Sequence, residues 1–354
     1  MRSEGERGEV GDRVNILYAS DNNFASIMGI SIISLFENNK DVENIQVYII
    51  NDEISGENVK KIESIFEKYE RPLPKWKRVK SINEVLNMEV YEDRFAQTQF
   101  ARLFLEEIVE EKDERILYLD CDLIINDSIE ELWNMNLDGK VGAVLADAFS
   151  SLYRANIGLE PNDLMFNSGV MLIDMKQWRE KHVGHQLRAF IRAHRGMVQQ
   201  GDQGVLNAVL SKNVCLFSPK YNLVTNYAAF SYEDMIIYRK PVAIYSKEEI
   251  ERAKKNPYIV HYTSSFMVAR PWENGKEHPY KYLWNKYKEL SPWGEQIHKE
   301  KRMKSWKKIY VSLSEKMPYR INLVCSGILQ AYVRPIYGKW KYKIRISSNT
   351  CENE

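Results

Sequence analysis

The stretch Arg115-Ile-Leu-Tyr-Leu-Asp-Cys-Asp122 joins a compact apolar run to two carboxylates that stand one residue apart. Its first part, 115–119, predicts a short buried strand, so that Asp120 and Asp122 follow directly at the strand end. If the backbone bends there, both carboxylates turn toward a single site. Carboxylate oxygens suit Mg²⁺ or Mn²⁺, which can keep open positions for phosphate oxygens. The stretch therefore predicts a divalent-metal site, and the alternative is a pair that only caps the next element.

Strand-like and helix-like segments alternate upstream of this stretch. Val14–Ala19 and Ile45–Ile50 are apolar runs that predict buried strands, while Phe24–Glu37 and Val59–Tyr69 show the apolar spacing of helices. This alternation predicts an α/β fold in which crossover helices connect a parallel sheet. In such sheets ligands bind at the carboxyl ends of the strands, and the polar turn Asp21–Asn23 follows the first strand at such an end.

The same alternation continues downstream of the two aspartates. A short helix is predicted to end at Trp133, and two later strands lead directly into Asp147 and His261. The other predicted elements are helices at 97–109 and 200–210, strands at 123–125, 141–146 and 258–260, and a polar Phe-Asn-Ser-Gly turn that enters a strand within 166–174. Residues 14–290 are therefore predicted to form one catalytic α/β domain, preceded by a flexible charged N-terminus at 1–13.

Residues 291–354 are predicted to form a basic, aromatic and helical C-terminal extension, because Ser291-Pro-Trp-Gly294 is typical of a linker. Between His298 and Ile346, 13 basic side chains stand against two acidic ones, which leaves 37 basic and 47 acidic side chains elsewhere. Lysines surround Trp306, and further cations alternate with Trp340 and its neighbouring tyrosines. Such a mixture predicts that 298–346 binds an anionic membrane surface. A solvated tail, or a tail packed on the acidic body, is the alternative.

The overall composition is that of an ordinary globular protein. A net charge of +1 and the lack of a recognised binding motif predict no nucleic-acid partner. No stretch approaches the roughly 20 apolar residues that span a bilayer, and the charged start lacks the apolar run of a secretory signal. The cysteines form no CxxC pair and predict free thiols: Cys121, Cys215, Cys325 and Cys351. A cytoplasmic protein is expected, attached peripherally at the inner face of the cell membrane.

Two motifs, 115–122 and Phe166-Asn-Ser-Gly-Val-Met-Leu-Ile-Asp174, occur in an order that resembles the family 8 retaining glycosyltransferases. That family includes bacterial lipopolysaccharide galactosyl- and glucosyltransferases and, more distantly, glycogenin, and the resemblance extends from about Asn15 to Trp272. It implies a GT-A fold, in which helices flank a Rossmann-like mixed sheet. It also implies retaining transfer of galactose or glucose from a UDP-sugar to a glycan or lipid-linked saccharide acceptor. Mn²⁺ (or Mg²⁺) would bridge the donor's diphosphate.

The resemblance assigns roles to residues at matching positions. His261 matches a third metal ligand beside Asp120 and Asp122, and its imidazole completes a nitrogen and oxygen set suited to Mn²⁺. Asp21 and Asn23 match a turn that holds the donor's nucleoside, although such a turn also bonds its own backbone. The other implied donor-binding residues are Arg102, Asp147, Asn167 and Arg270, for which the alternatives are structural groups, strand-end caps and turn residues.

Gln203 and Asp202 match a catalytic pair beside the anomeric carbon of the donor. Retention by double displacement requires a carboxylate nucleophile at that carbon, whereas Gln203 carries an amide. The resemblance therefore favours front-face transfer, in which Gln203 stabilises an oxocarbenium-like state and Asp202 orients the donor sugar or helps at the acceptor. Gly169 would allow close backbone approach nearby.

The segment that follows His261 departs from the family pattern. Ser264 replaces a glycine, the loop is three residues longer, and Arg270 replaces a lysine, so that a planar fork stands in place of a point charge. These departures leave open a sugar-nucleotide-binding protein with weakened catalysis. A self-glycosylating enzyme like glycogenin is a further alternative, because the chain has 21 tyrosines.

Overall fold

The computed structural model describes residues 13–90, 97–294 and 316–341. Its centre is a seven-stranded sheet, and side chains that alternate along the strands enter two apolar cores, one on each face. In the first strand, Ile16 and Tyr18 enter one core while Leu17 enters the other. The α/β prediction is therefore confirmed. The predicted N-terminal segment 1–13 lies outside the described residues except for Arg13, which begins the first strand.

The strands follow one another along the chain as β1 to β10. They are β1 (Arg13–Asp21), β2 (Asn44–Asp52), β3 (Lys75–Lys77), β4 (Arg115–Leu119), β5 (Leu123–Ile125), β6 (Gly142–Ala146), β7 (Phe166–Asp174), β8 (Val214–Leu216), β9 (Leu223–Val224) and β10 (Ile259–His261). The central sheet has the order β3-β2-β1-β4-β7-β6-β8. Every strand predicted from the sequence is present, and most bounds differ by at most two residues. The exception is the predicted Phe-Asn-Ser-Gly turn at 166–169, which is instead the beginning of β7.

The prediction of a parallel sheet is correct only in part. β1 runs parallel to β2 and β4, and β8 runs parallel to β6, but β7 lies antiparallel between β4 and β6. A buried strand has the same apolar pattern in either direction, so the pattern of Phe166–Asp174 could not reveal its orientation. The result is the mixed sheet that the family resemblance implied.

A second, three-stranded sheet has the order β5-β10-β9. β10 is antiparallel to β5 and parallel to β9, and the pairing sets His261 opposite Leu123. Leu123 directly follows Asp122. This small sheet therefore places His261 at the end of β4, near Asp122, although 138 residues of sequence lie between the two.

Helices pack on the sheets and contribute side chains to both cores. They are α1 (Ala25–Glu37), α2 (Gly56–Lys68), α3 (Ile82–Leu86), α4 (Leu105–Ile108), α5 (Glu130–Trp133), α6 (Ser151–Ala155), α7 (Met175–Glu180), α8 (Val183–Ala193), α9 (Gly201–Leu210), α10 (Thr225–Ala229), α11 (Tyr232–Arg239), α12 (Lys247–Lys255), α13 (Lys281–Lys288) and α14 (Tyr319–Ile328). The helix predicted at 97–109 is instead a 3₁₀-helix, Gln97–Phe104, followed by α4. Phe100 and Leu103 are both buried, and side chains three apart align in 3₁₀ winding.

The segment 291–294, predicted to be a linker, packs against the body. The Trp293 ring fills the space beside Gly29 in α1, where a Cβ would lie 2.3 Å from the ring. Its indole Nε1 also donates a hydrogen bond to Asn58 Oδ1 of α2 at 2.8 Å. Trp293 is therefore a core residue, and the boundary near residue 290 stays a prediction.

Further along the C-terminal extension, residues 319–341 form one continuous helix, called here the C-terminal helix. It consists of α14, a π-helical stretch at Leu329–Val333 and a final helical segment at 334–341. Gly327 lies so close to α11 that a Cβ would stand 2.7 Å from the Ile237 carbonyl oxygen. Within the described residues, no helix has the length and apolar character needed to cross a membrane. Residues 298–315 and 342–346 of the predicted membrane-binding region lie outside the described part.

Candidate active site

The chain bends between β4 and β5, and this bend presents Asp120 and Asp122. The Asp120 N–H donates to the Gly169 carbonyl of β7 at 2.7 Å. The intervening Cys121 is buried, and its thiol donates to the Ala19 carbonyl near the end of β1. Burial of Cys121 turns its two acidic neighbours toward the same side, as the prediction from the sequence required.

Asp120, Asp122 and His261 form a compact cluster in which one ligand atom from each lies within 4.8 Å of the others. His261 Nε2 is 3.2 Å from Asp122 Oδ1 and 3.7 Å from Asp120 Oδ2. Asp122 and His261 are buried, while Asp120 is partly open. Two carboxylates and an imidazole at such distances can hold a divalent ion with open positions for further oxygen ligands. The grouping predicted for the metal is thus present among the described residues.

Asn222 orients His261, and it is a site residue that the sequence did not reveal. Its Oδ1 lies 2.9 Å from His261 Nδ1, and its Nδ2 donates to Asn167 Oδ1 at 2.9 Å. Because the amide nitrogen of Asn222 is used in this way, its oxygen faces Nδ1–H, and the Nε2 lone pair is left toward the aspartates. Asn222 stands between a short 3₁₀-turn, Pro219–Tyr221, and β9, where an asparagine ordinarily indicates a turn.

Gly169 makes room for the cluster. A Cβ at this position would lie 2.2 Å from His261 Cε1 and 2.7 Å from Asp120 Oδ2, closer than side chains tolerate. The close approach implied by the Phe-Asn-Ser-Gly motif is therefore an approach of β7 to the carboxylate and imidazole groups. The space beside Gly169, which a single methyl group would fill, therefore fits a metal ion held by Asp120, Asp122 and His261.

Arg102 joins the cluster to α9. Its Nε lies 2.5 Å from Asp202 Oδ2, and its Nη2 lies 3.3 Å from Asp120 Oδ1. It also donates to the Ser168 carbonyl, and its guanidinium lies over the Tyr118 ring at 4.2 Å. Arg102 is buried, so its charge stabilises Asp202 and Asp120 from within the protein. Contact of Arg102 with a donor stays a prediction.

Burial and neighbouring groups shift the pKa values of two buried carboxylates, Asp202 and Asp122, in opposite directions. Burial raises the pKa of Asp202 to about 6, since Arg102 opposes the shift only in part and Asp120 adds to it. Burial also acts to raise the pKa of Asp122, but the charge of Arg270 and the interaction with His261 outweigh it and hold that pKa below its usual value. Asp122 is therefore kept ionised, as a metal ligand must be.

Arg270 lies at the cluster in spite of the altered loop that carries it. Its Nη2 is 2.9 Å from Asp122 Oδ2, and its Nε donates to the Tyr262 carbonyl at 2.9 Å. A lysine could not make both contacts from one planar group. The guanidinium group of Arg270 thus holds both the longer loop and one carboxylate oxygen of Asp122 in place.

Asp202 and Gln203 lie in the first turn of α9, and the Gln203 side chain faces β7. Gln203 Oε1 is 3.4 Å from Ser168 N–H and 3.5 Å from Asn167 Nδ2, which are long contacts. Asn167 is buried and accepts a hydrogen bond from Gly169 N–H at 3.0 Å. Gln203 and Asn167 are thus neighbours, as their implied roles at one donor sugar require.

The remaining predicted donor-binding residues lie at strand ends and make local contacts. Asp21 Oδ1 accepts from the Phe24 N–H at 2.9 Å, and its Oδ2 accepts from Asn23 Nδ2 at 3.1 Å. Asp147, buried at the end of β6, accepts from the Ala148 N–H at 2.7 Å. The local backbone bonds expected of such turns are present. Donor binding by Asp21, Asn23 and Asp147 stays a prediction.

Comparisons with known proteins place this arrangement in a family. The sequence model described as glycosyl transferase family 8 matches residues 15–275. The chain is 26% identical over 322 residues to the lipopolysaccharide 1,2-glucosyltransferase of Escherichia coli, covering 89% of each chain. It is 23% identical over 283 residues to general stress protein A of Bacillus subtilis, covering 79% of this chain and 94% of the relative.

Solved structures show the same fold. The galactosyltransferase LgtC, in complex with donor and acceptor sugar analogs, matches with a TM-score of 0.65 and 21% identity, covering 79% of this chain and 96% of that chain. The glycosyltransferase GlyE of Streptococcus pneumoniae matches with a TM-score of 0.55 and 21% identity, covering 87% and 65%. The GT-A fold implied by the resemblance is thus confirmed. Because the family model spans more than half of the sequence, the chain belongs to glycosyl transferase family 8 and is a glycosyltransferase.

Proposed function

We propose that this enzyme transfers a hexose, galactose or glucose, from a UDP-sugar to a glycan or glycolipid acceptor with retention of anomeric configuration. The observation that carries the proposal is the cluster of Asp120, Asp122 and His261 against Gly169, with Asp202 and Gln203 beside it. The E. coli relative, a lipopolysaccharide 1,2-glucosyltransferase, supports an acceptor of that class.

Asp120, Asp122 and His261 would hold Mn²⁺ or Mg²⁺. Such an ion supplies Lewis-acid stabilisation of the charge that builds on a departing diphosphate. Arg270 adds a fixed positive charge beside Asp122, and Asn222 keeps His261 in the tautomer that leaves Nε2 free. Together these residues would set the donor's diphosphate against β7 and the first turn of α9.

The surroundings of Asp202 favour front-face transfer. Its carboxylate is buried and bound to Arg102, and a carboxylate so paired is a weaker nucleophile than a free one. Gln203 offers only an amide oxygen. The acceptor hydroxyl would then attack on the face from which UDP leaves, while the Gln203 oxygen faces the developing positive charge at the anomeric carbon.

A panel of UDP-sugars tests the proposal. With Mn²⁺ present, UDP-galactose or UDP-glucose should give slow UDP release without an acceptor and much faster release with a saccharide acceptor. NMR of the product should show the donor's anomeric configuration. If no UDP-sugar is bound or hydrolysed, the proposal is wrong, and an inverted product would contradict its stereochemistry.

We further propose that the C-terminal extension attaches the enzyme to an anionic membrane surface on the cytoplasmic side. Nine apolar or aromatic side chains of the C-terminal helix are between 42% and 58% exposed: Tyr319, Ile321, Val324, Ile328, Tyr332, Val333, Ile336, Tyr337 and Trp340. Ile321, Val324, Ile328, Tyr332, Ile336 and Trp340 recur every three or four residues, which aligns them on one helix face. Nearby lysines would meet anionic headgroups.

Vesicle flotation of the full-length chain tests the membrane proposal. Replacing Ile328 and Ile336 together by Asp should lower binding to anionic vesicles by about tenfold or more, because each apolar side chain loses its burial in the interface. Leu73→Asp is the matched control, since Leu73 is 53% exposed on another part of the body. Unchanged flotation of the double variant, or equal flotation with neutral vesicles, would remove the idea.

A further inference from the structure

Asn156 bonds two segments that are far apart in the sequence. Its Nδ2 donates to the Gln199 Oε1 at 2.7 Å and to the Pro335 carbonyl at 2.9 Å. Asn156 is the residue that follows α6, Gln199 directly precedes the turn into α9, and Pro335 is buried in the C-terminal helix. One amide group therefore joins α6, the approach to α9 and the C-terminal helix.

The turn that Gln199 enters is strained. Gln200 has a φ of 66° and Gly201 a φ of 59°, both in the left-handed region. A non-glycine residue in that region is sterically disfavoured, so the surroundings must hold it in place. Gln200 caps α9 without any side-chain hydrogen bond to the helix. The conformation is thus held by what contacts the turn rather than by a cap.

Gln199 is held from both sides. Its backbone carbonyl oxygen packs so closely on α9 that a Cβ at Gly204 would stand 1.8 Å away from it. On its other side, a Cβ at Gly338 of the C-terminal helix would lie 3.1 Å from the Gln199 Oε1. A shift of the Gln199 side chain would therefore displace the turn at Gln200 and Gly201, which Asp202 and Gln203 directly follow.

We infer that Asn156 is a positioning residue for sugar transfer. By holding Gln199 it sets the left-handed turn that places Asp202 and Gln203, and by holding Pro335 it connects that turn to the C-terminal helix. The inference rests on the proposed function, because it is that proposal which gives Asp202 and Gln203 a role at the donor sugar. Asn156 itself contacts neither the metal cluster nor the groups predicted to bind the donor in the described residues.

A merely structural role would be to dock the C-terminal helix, and Tyr153 provides the control for it. The Tyr153 hydroxyl donates to the Gln330 carbonyl in the π-helical stretch at 2.8 Å. Like the contact to Pro335, this is a bond from α6 or its end to a backbone oxygen of the helix. Within the described part of the chain, the Tyr153 hydroxyl bonds to Gln330 and not to Gln199. Tyr153→Phe therefore removes helix docking of the same kind and leaves Gln199 untouched.

The experiment compares the full-length enzyme with Asn156→Ala, Gln199→Ala, the double variant and Tyr153→Phe. For Asn156→Ala and Gln199→Ala we expect kcat to fall about tenfold, since small misplacements of reacting groups have effects of this size. The KM for the donor should change by less than about twofold, because the metal cluster keeps its own contacts. The double variant should be no worse than the poorer single variant, because both remove one interaction.

Amide hydrogen exchange across 199–204 is the second readout, and it does not depend on turnover. Exchange there should rise about tenfold in Asn156→Ala and stay unchanged in Tyr153→Phe. Equal loss of kcat in Asn156→Ala and Tyr153→Phe, additive single variants, or unchanged exchange at 199–204 would each overturn the inference. A wild-type chain without transfer activity would instead contradict the proposed function, while exchange would still report on the turn.

Discussion

Replacing Asp122 by asparagine is expected to lower metal-dependent transfer by about a thousandfold, which corresponds to roughly 4 kcal/mol of transition-state stabilisation. Asp122 Oδ1 lies 3.2 Å from His261 Nε2, and Oδ2 lies 2.9 Å from Arg270. Asparagine keeps the shape but loses the charge that attracts the ion and pairs with Arg270. The measurement is kcat/KM over a range of Mn²⁺ concentrations.

Asp127→Asn is the matched control for this substitution. Asp127 follows β5, and its Oδ1 accepts a hydrogen bond from the Ser128 N–H, which an asparagine oxygen can also accept. The control variant should keep wild-type activity at every Mn²⁺ concentration. If the Asp122 variant recovered full activity at high Mn²⁺, the residue would serve metal affinity alone, and the expected loss at saturation would be wrong.

Alanine at position 169 is expected to weaken Mn²⁺ binding by about a hundredfold, at the upper end of what changes beside a metal site produce. The added methyl group would stand 2.2 Å from His261 Cε1 and 2.7 Å from Asp120 Oδ2. Because β7 is paired on both sides, its backbone cannot retreat, so the imidazole and the carboxylate must move apart. Calorimetric titration with Mn²⁺ measures the effect.

Gly56→Ala serves as the control for this prediction. A Cβ at Gly56 would meet nothing within 4 Å, and the residue opens α2, where alanine is favourable. Both variants should give circular dichroism spectra of a folded protein. Wild-type Mn²⁺ affinity in the Gly169 variant would show that the ion is held elsewhere. It would also remove the support that the space beside Gly169 gives to the proposed function.

The sequence predicted the strands and the metal cluster because the relevant information is local or motif-based. Apolar runs mark the buried strands with little error, and the two aspartates after 115–119 do follow a strand end. His261 was assigned by its position in a family pattern, since no local feature connects it to Asp120. The 3₁₀ winding of Gln97–Phe104 was missed because helical spacing over a few residues does not distinguish the two helix types.

Other features depend on neighbours that are distant in the chain. The antiparallel direction of β7, the pairing of His261 with Leu123 and the burial of Trp293 are set by sheet registration and packing. No periodicity records them. Asn222 and Arg102 have the same property, because an asparagine in a turn and an arginine on a helix acquire their roles only from the groups that they meet.

The amino-acid sequence by itself determined the α/β class, the strand positions, the order of motifs and the chemistry of the ligands, because these follow from residue type and spacing. The tertiary structure decided which of those groups meet. It brought Asp120, Asp122 and His261 within 4.8 Å, placed Gly169 beneath them and joined Asn156 to the approach of α9. Distances between separate segments arise from packing, which is a property of the whole folded chain and not of any one stretch.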